Sequence, residues 1–246
     1  MTNPWDNNAS KRHKQILDGL DFSFDNVLSP TFVKLINGIK DIKTLNVLDI
    51  GCGSGILTYR LSKLVGNIVG IDPSGKSIDI AKEEYEKVKN LEFRCNSIHN
   101  LQSKDKFHIA ISNMTIQTIK NIEQAFRSIS RIMNRSGTFI FSIPHPCFWI
   151  EYRKKIGLDE YENYRYSKNS AHRITFSISN DRNPLPSYVP LYHRPIEYYS
   201  TQLSVAGFFI EHILEPFPKK IENMKTNWEI PHFLFFICSK SNNRGV

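Results

Sequence analysis

Cysteine is scarce in this sequence: Cys52, Cys95, Cys147 and Cys238 are the only four, and no two form a C-x-x-C pair. No His/Cys cluster has zinc-ligand spacing, which argues against a structural zinc site and a disulfide framework. Long apolar runs are missing as well. No stretch approaches the roughly 18 consecutive apolar residues of a membrane span. The opening MTNPWDNNASKRHK lacks the apolar segment of a signal peptide. There are no blocks of like charge, no internal repeats and no low-complexity tracts. These absences predict a soluble, cytoplasmic protein, and three of the four thiols lie in or beside apolar runs, where they pack as small hydrophobes.

The 246 residues suit one large domain, and 40% apolar content is enough for a sizeable core. The net charge of +8 comes with lysines in both halves. That reads as a dispersed basic surface, and it supports an anionic partner only weakly.

Along the chain, residues 1–25 are polar with scattered aromatics. Ser29 followed by Pro30 predicts a helix start, with a capping hydroxyl and then proline in the first turn. Strands and helices then alternate. Strands are predicted at 45–50, 67–71, 91–95, 107–112 and 138–143. Helices are predicted at 56–64, from a Ser74 cap onward, and at 122–133, where apolar residues recur at helical spacing. After Pro144 the pattern breaks, and about fifty residues rich in aromatics, basic residues and prolines show no clear period. Alternation resumes with a helix at 195–206 and strands at 208–214 and 233–238. Such alternation implies a doubly wound α/β fold with a mostly parallel sheet. The organisation expected is one domain: an N-terminal helical cap segment (1–43), a ligand-binding core (44–144), a substrate-covering insertion after the fifth strand (145–194), and a C-terminal completion of the sheet (195–246).

In such sheets ligands bind beyond the carboxyl ends of the strands, where strand order reverses. The first strand runs into Asp49-Ile50-Gly51-Cys52-Gly53-Ser54-Gly55. Glycines there permit positive φ and close backbone approach to a ligand. The second strand ends at Asp72, placed to accept from both ribose hydroxyls of a nucleoside. Two other readings compete. A dehydrogenase fingerprint needs GxGxxG, but Ile56 occupies the last position. Residues 70–77, GIDPSGKS, formally match the phosphate loop of nucleotide triphosphatases. However, Pro73 lacks an N–H, and Asp72 would place negative charge inside an anion nest.

On these motifs the sequence resembles the class I S-adenosylmethionine-dependent methyltransferases. Val47–Gly55 stands as their first motif, Asp72 as their acidic residue after the second strand, and Ile111–Met114 as their fourth-strand segment. The element from Ser128 to Phe139 is also similar. The resemblance implies a seven-stranded Rossmann-like sheet with its last strand antiparallel, and S-adenosylmethionine as cofactor. It implies that Asp49 organises the loop near the donor's amino group, that Gly51, Cys52, Gly53 and Gly55 surround the methionine part, and that Asp72 with Pro73 meets the ribose. Asn96, Ser97 and Ile98 stand where the family carries an Asp facing adenine, so Asn96 or Ser97 offers an uncharged acceptor instead. Asn113 and Met114 fall at the fourth strand's end. Trp5 and Lys14 are expected to close over the donor, with plain packing as the alternative for Trp5.

Methyl transfer needs near-attack geometry and excluded water, and a base only when the acceptor must lose a proton early; no metal is implied. His145, at the end of the fifth strand, is the first candidate base and His193 the second; a structural role is the alternative for both. Trp149, Tyr164, Tyr166 and Tyr188 are candidate acceptor-pocket residues. The segments SIPHPCF and YHRPIEYY resemble bacterial small-molecule methyltransferases, including natural-product tailoring enzymes. The expected function is therefore methyl transfer to O or N of a small metabolite. One alternative is an RNA acceptor, since Arg153, Lys154, Lys155, Arg165, Lys168 and Arg173 mix with aromatics. Glu151, Asp159, Glu160 and Glu162 dilute that field, so nucleic acid is disfavoured. The other alternative is a donor-binding protein without transferase activity.

Overall fold

In a computed structural model of the chain, the structure describes residues 3–102, 106–150, 164–175, 178, 185–219 and 228–240. The N-terminal stretch forms a helix, α1 (Pro4–Leu17). Asn3 caps it by accepting from Trp5 N, and Pro4 occupies the first turn, where no intrahelical N–H is needed. A five-residue π turn, Phe24–Leu28, runs directly into α2 (Ser29–Asn37).

Ser29 is therefore not the cap expected from the sequence. Its backbone is helical, and its N–H donates to Phe24 O, five residues back. Asp21 does the capping upstream, with Oδ1 accepting from Phe24 N at 3.0 Å. The wide turn sits just before Pro30, whose ring clashes with a normal i−4 carbonyl and whose nitrogen cannot donate.

The remaining elements are β1 (Asn46–Ile50), α3 (Ile56–Ser62), β2 (Asn67–Asp72), α4 (Gly75–Glu84), β3 (Leu91–Cys95), β4 (Phe107–Asn113), α5 (Ile122–Ile132), β5 (Met133–Pro144), β6 (Ser170–Ile174), β7 (Val189–His193), α6 (Ile196–Val205), β8 (Phe208–Leu214) and β9 (Phe233–Lys240). Seven strands form one sheet in the order β3-β2-β1-β4-β5-β9-β8. β3, β2, β1, β4 and β5 are parallel, and β9 runs antiparallel between β5 and β8. Ser74 caps α4 as its sequence position predicts, accepting from Ser77 N.

Both faces of the sheet are buried, which is why its central strands read as nearly continuous apolar runs. Leu48, Ile50, Phe139, Phe141 and Phe236 pack under α5 and α6 with Phe126 and Tyr199. Val47, Ile111, Ile140 and Phe235 face α2 and α3 with Phe32 and Leu61. Each fully buried aromatic or Leu side chain contributes about 1.5–3 kcal/mol.

The segment without a clear period contains a second, two-stranded sheet in which β6 pairs antiparallel with β7. β7 does alternate, with Val189, Leu191 and His193 buried. Pro190 in its middle obscures the signal, and proline is tolerated because the strand has a free edge. Among the described residues, no helix is long and apolar enough to cross a membrane.

Candidate functional site

Strand order reverses between β2-β1 and β4, and there a cavity of about 420 Å³ opens at the carboxyl ends of the strands. The turns after β1, β2, β3 and β4 line it, together with α1 and the β6–β7 hairpin. This size is typical of a small-molecule site.

The loop after β1 hangs from β2: Gly51 N and Cys52 N both donate to Ile71 O, at 2.8 and 3.0 Å. Gly51 has φ +73°, and a Cβ there would lie 2.2 Å from Thr115 Oγ1. Gly53, at φ +54°, has nothing within 4 Å of a Cβ position and borders the cavity.

Asp72 joins this loop to the next turn. Oδ2 accepts from Gly53 N at 2.9 Å, and Oδ1 from Ser74 N at 2.8 Å. Burial raises its carboxyl above the usual range, while these two N–H groups pull it back. Asp49 is 1% exposed, and its Oδ2 accepts from Thr58 Oγ1 at 2.7 Å. Burial, less the Thr58 bond and helped by the Asp72 charge, pushes it up to about 7.

Of the residues singled out in the sequence, Trp5, Asp49, Gly51, Cys52, Gly53, Asp72, Pro73, Asn96, Ser97, Ile98, Asn113, Met114 and Trp149 line the cavity. Asn113 Oδ1 accepts from Ser142 Oγ at 2.8 Å, and Met114 sits at φ +53°, a conformation costly for a residue with a side chain. Gly55 stays outside the lining. It takes φ +80° at the start of α3, where a Cβ would strike the Phe93 ring at 2.4 Å.

Lys14 is also absent from the lining. It is exposed and pairs with Asp18 at 2.8 Å. Helical phase explains this: Trp5, Ala9, Arg12 and Ile16 recur at spacings of four, three and four and face the cavity, while Lys14 lies on another side. That stripe was present in the sequence and would have found Arg12, which pairs with Asp21 at 2.5 Å.

Sequence reasoning also missed Thr115, Gln117, Ile174, Val189 and Leu191 in the lining. α1 is latched on both sides. Asp6 accepts from Ser74 Oγ at 2.7 Å, His13 Nδ1 meets Ser54 Oγ at 2.9 Å, and Asn8 exchanges two hydrogen bonds with the Ser187 backbone. Asp72 and Asp6 thus occupy the turn that formally matches a phosphate loop, and Lys76 is exposed.

The two histidines stand behind the cavity wall, beside a small void. His145 is 1% exposed; its Nδ1 accepts from Cys147 N at 3.2 Å, and Nε2 meets Glu215 Oε1 at 2.7 Å. Both ring nitrogens are engaged, and burial lowers the imidazole's pKa against the raising effect of Glu215. His193 Nε2 donates to Tyr166 O at 2.9 Å, with the Tyr164 ring edge-on at 4.7 Å.

Tyr164 donates its hydroxyl to Pro146 O. Tyr166 and Tyr188 are exposed, the latter beneath Arg173. None of these three tyrosines borders the cavity, and neither do Arg165, Lys168 and Arg173. Arg153, Lys154, Lys155, Glu151, Asp159, Glu160 and Glu162 lie outside the described residues. Among the described residues, no cluster of His, Cys, Asp and Glu could hold a metal ion, and all four cysteines are free.

The methyltransferase domain family matches residues 41–175. A malonyl-[acyl-carrier protein] O-methyltransferase of Bacillus cereus is 33% identical over 101 residues, 40% of this chain and 37% of that protein. A ubiquinone biosynthesis O-methyltransferase of Pelagibacter ubique is 30% identical over 105 residues, 42% of this chain and 44% of that protein. The chain thus spans less than half the length of these relatives. Among solved structures, a Listeria monocytogenes protein assigned to the S-adenosylmethionine-dependent methyltransferases superposes with a TM-score of 0.67. It shares 24% identity, covering 85% of this chain and 97% of that one, a likeness of fold.

Proposed function

The chain belongs to the methyltransferase domain family, and from that premise we propose that it transfers a methyl group from S-adenosylmethionine to an oxygen or nitrogen of a small metabolite. The observation that carries this reading is a single cavity with two unlike ends. At one end are the glycine loop, Asp49 and Asp72. At the other are Trp149, Ile174, Val189 and Leu191.

The first end suits the donor. Gly53 leaves open backbone at the cavity, and Asp72 is fixed by two N–H bonds at a position that can accept from ribose hydroxyls. Asn96, Ser97 and Ile98 would meet the adenine edge without a charge. Asn113 and Met114 would lie between donor and acceptor. S-adenosylmethionine supplies an activated methyl on a sulfonium; on transfer the sulfur keeps the bonding electron pair, and the acceptor's proton, where it has one, passes to solvent.

The chain's own contribution is positioning and exclusion of water. α1 (within 1–43) and the hairpin (within 145–194) cover the core (44–144). The roles we give His145 and His193 are structural, as braces of the wall behind the acceptor end. The O-methyltransferase relatives favour oxygen as the methylated atom, and natural-product tailoring is one setting for such a reaction. Free thiols suit a cytoplasmic site of action.

Calorimetric titration with S-adenosylmethionine tests the reading. Saturable binding is expected, weakened at least tenfold by Asp72→Ala, which removes a charged hydrogen-bond partner. Undiminished affinity in that variant would sink the assignment. Donor binding without turnover across hydroxyl and amine acceptors would favour a binding protein instead.

A further inference from the structure

The floor of the cavity carries acid that the fold leaves uncompensated. Asp49 borders the cavity, and among the described residues Thr58 is its one hydrogen-bond partner. Among the described residues no cation is paired with it, and Lys120, which also lines the cavity, is exposed. From β2, Asp72 brings a second carboxylate, itself bonded to backbone N–H groups. On α3, Arg60 turns away to Asp25 at 2.8 Å. On α1, Arg12 is held by Asp21, His13 by Ser54, and Asp6 adds another acid beside Ser74. From β4, Ser112 donates to Ile50 O, and Asn113 is tied to Ser142. The Cys52 thiol is pushed up by burial and by both carboxylates, so it stays neutral.

A carboxylate buried in this way is relieved by one of two things: a proton, or the positive charge of a ligand. We propose that Asp49 makes the site selective for the donor, whose sulfonium gives it a net positive charge, over its thioether product, whose ammonium and carboxylate cancel, by exchanging a proton. Asp49 is protonated in the empty cavity, releases its proton to solvent as a cationic ligand enters, and takes one back when the bound molecule has lost its sulfonium charge. The O–H bond of the carboxyl is the only bond broken or remade, and the buffer is the proton's source and sink. The inference rests on the donor reading above. It adds that donor binding is coupled to pH whereas product binding is not. The rise of the Asp49 carboxyl to about 7 places the exchange near neutrality.

The test is isothermal titration calorimetry of the full chain with S-adenosylmethionine and, separately, S-adenosylhomocysteine. Each titration is run in phosphate and in bis-Tris, whose ionisation heats differ, at pH 6.0 and 7.5. The expected result is proton release on S-adenosylmethionine binding at pH 6.0 and little at pH 7.5. Its affinity should rise about eightfold between those values, while that of S-adenosylhomocysteine changes less than twofold. Asp49→Asn should abolish both the proton release and the pH dependence. Thr58→Val, which removes the bond favouring the ionised form, should move the release to higher pH and guards against a misfolded Asn variant. Heats that are equal in the two buffers, or proton release that persists in Asp49→Asn, would overturn the proposal while leaving the donor reading intact. Absence of S-adenosylmethionine binding to the wild-type chain would instead overturn the donor reading.

Discussion

Replacing Asp49 with Asn should stabilise the ligand-free protein in mildly alkaline solution and lose that advantage in acid. In the unfolded chain this carboxyl titrates near 3.8, and in the folded protein near 7. Between those values the folded state holds a proton that the unfolded state lacks. The resulting stability is fully present below the unfolded value and is lost as pH rises through the folded one. A gap of roughly three pH units corresponds to about 4 kcal/mol, and the part lost between pH 5 and pH 8 is about 2.5 kcal/mol. The side chain is fully buried, so solvent screening takes little away. Asn does not titrate. Its amide N–H₂ gains no evident acceptor, a cost of about 1–3 kcal/mol that is the same at every pH. Urea denaturation of both proteins at pH 5 and pH 8 isolates the effect, because the constant offset cancels. The difference between variants should move by about 2.5 kcal/mol in favour of Asn on going from pH 5 to pH 8. Parallel profiles, agreeing within about 0.5 kcal/mol at both pH values, would show that Asp49 is ionised in the folded protein, and the charge argument would fail.

Gly51→Ala places a Cβ against the Thr115 side chain at φ +73°; a cost of about 2–4 kcal/mol, a fall in melting temperature of roughly 5–10 °C, and loss of donor binding are expected. His145→Ala should lower the melting temperature, because the bonds to Cys147 and Glu215 go, yet change turnover per folded molecule by no more than about threefold. An unchanged melt with turnover down about a hundredfold would restore the histidine as a base.

The legible parts of this protein are those decided within a few residues. β3 and β8 fall where alternation and flanking turns put them, and the Ser74 cap follows from its own side chain and the helix it starts. The parts that were hidden have longer reach. Ser29 and Pro30 look like a helix start, but Asp21, eight residues upstream, had already begun the helical run. The β6–β7 pairing joins residues about twenty apart across a segment where Pro190 masks the period. The sequence put His145 at the correct end of β5, but Glu215, seventy residues on, decides where its ring points. A strand's end sets where a side chain starts. Its partner sets whether it reaches the cavity.

The same limit governs the charge of the site. Asp49 and Asp72 are legible as acids at strand ends, but whether they are ionised depends on what the surrounding cations do. Two arginines are close enough to matter: Arg12 borders the cavity, and Arg60 sits on the helix that also carries Thr58. Each is claimed by an acid from one short stretch, Asp21 for Arg12 and Asp25 for Arg60. That stretch reads in the sequence as a polar approach to a helix, with nothing to mark it as part of a site. Its effect reaches the cavity all the same. By holding both guanidinium groups, Asp21 and Asp25 leave the floor acidic and uncompensated, so the missing positive charge has to come from the ligand or from a proton.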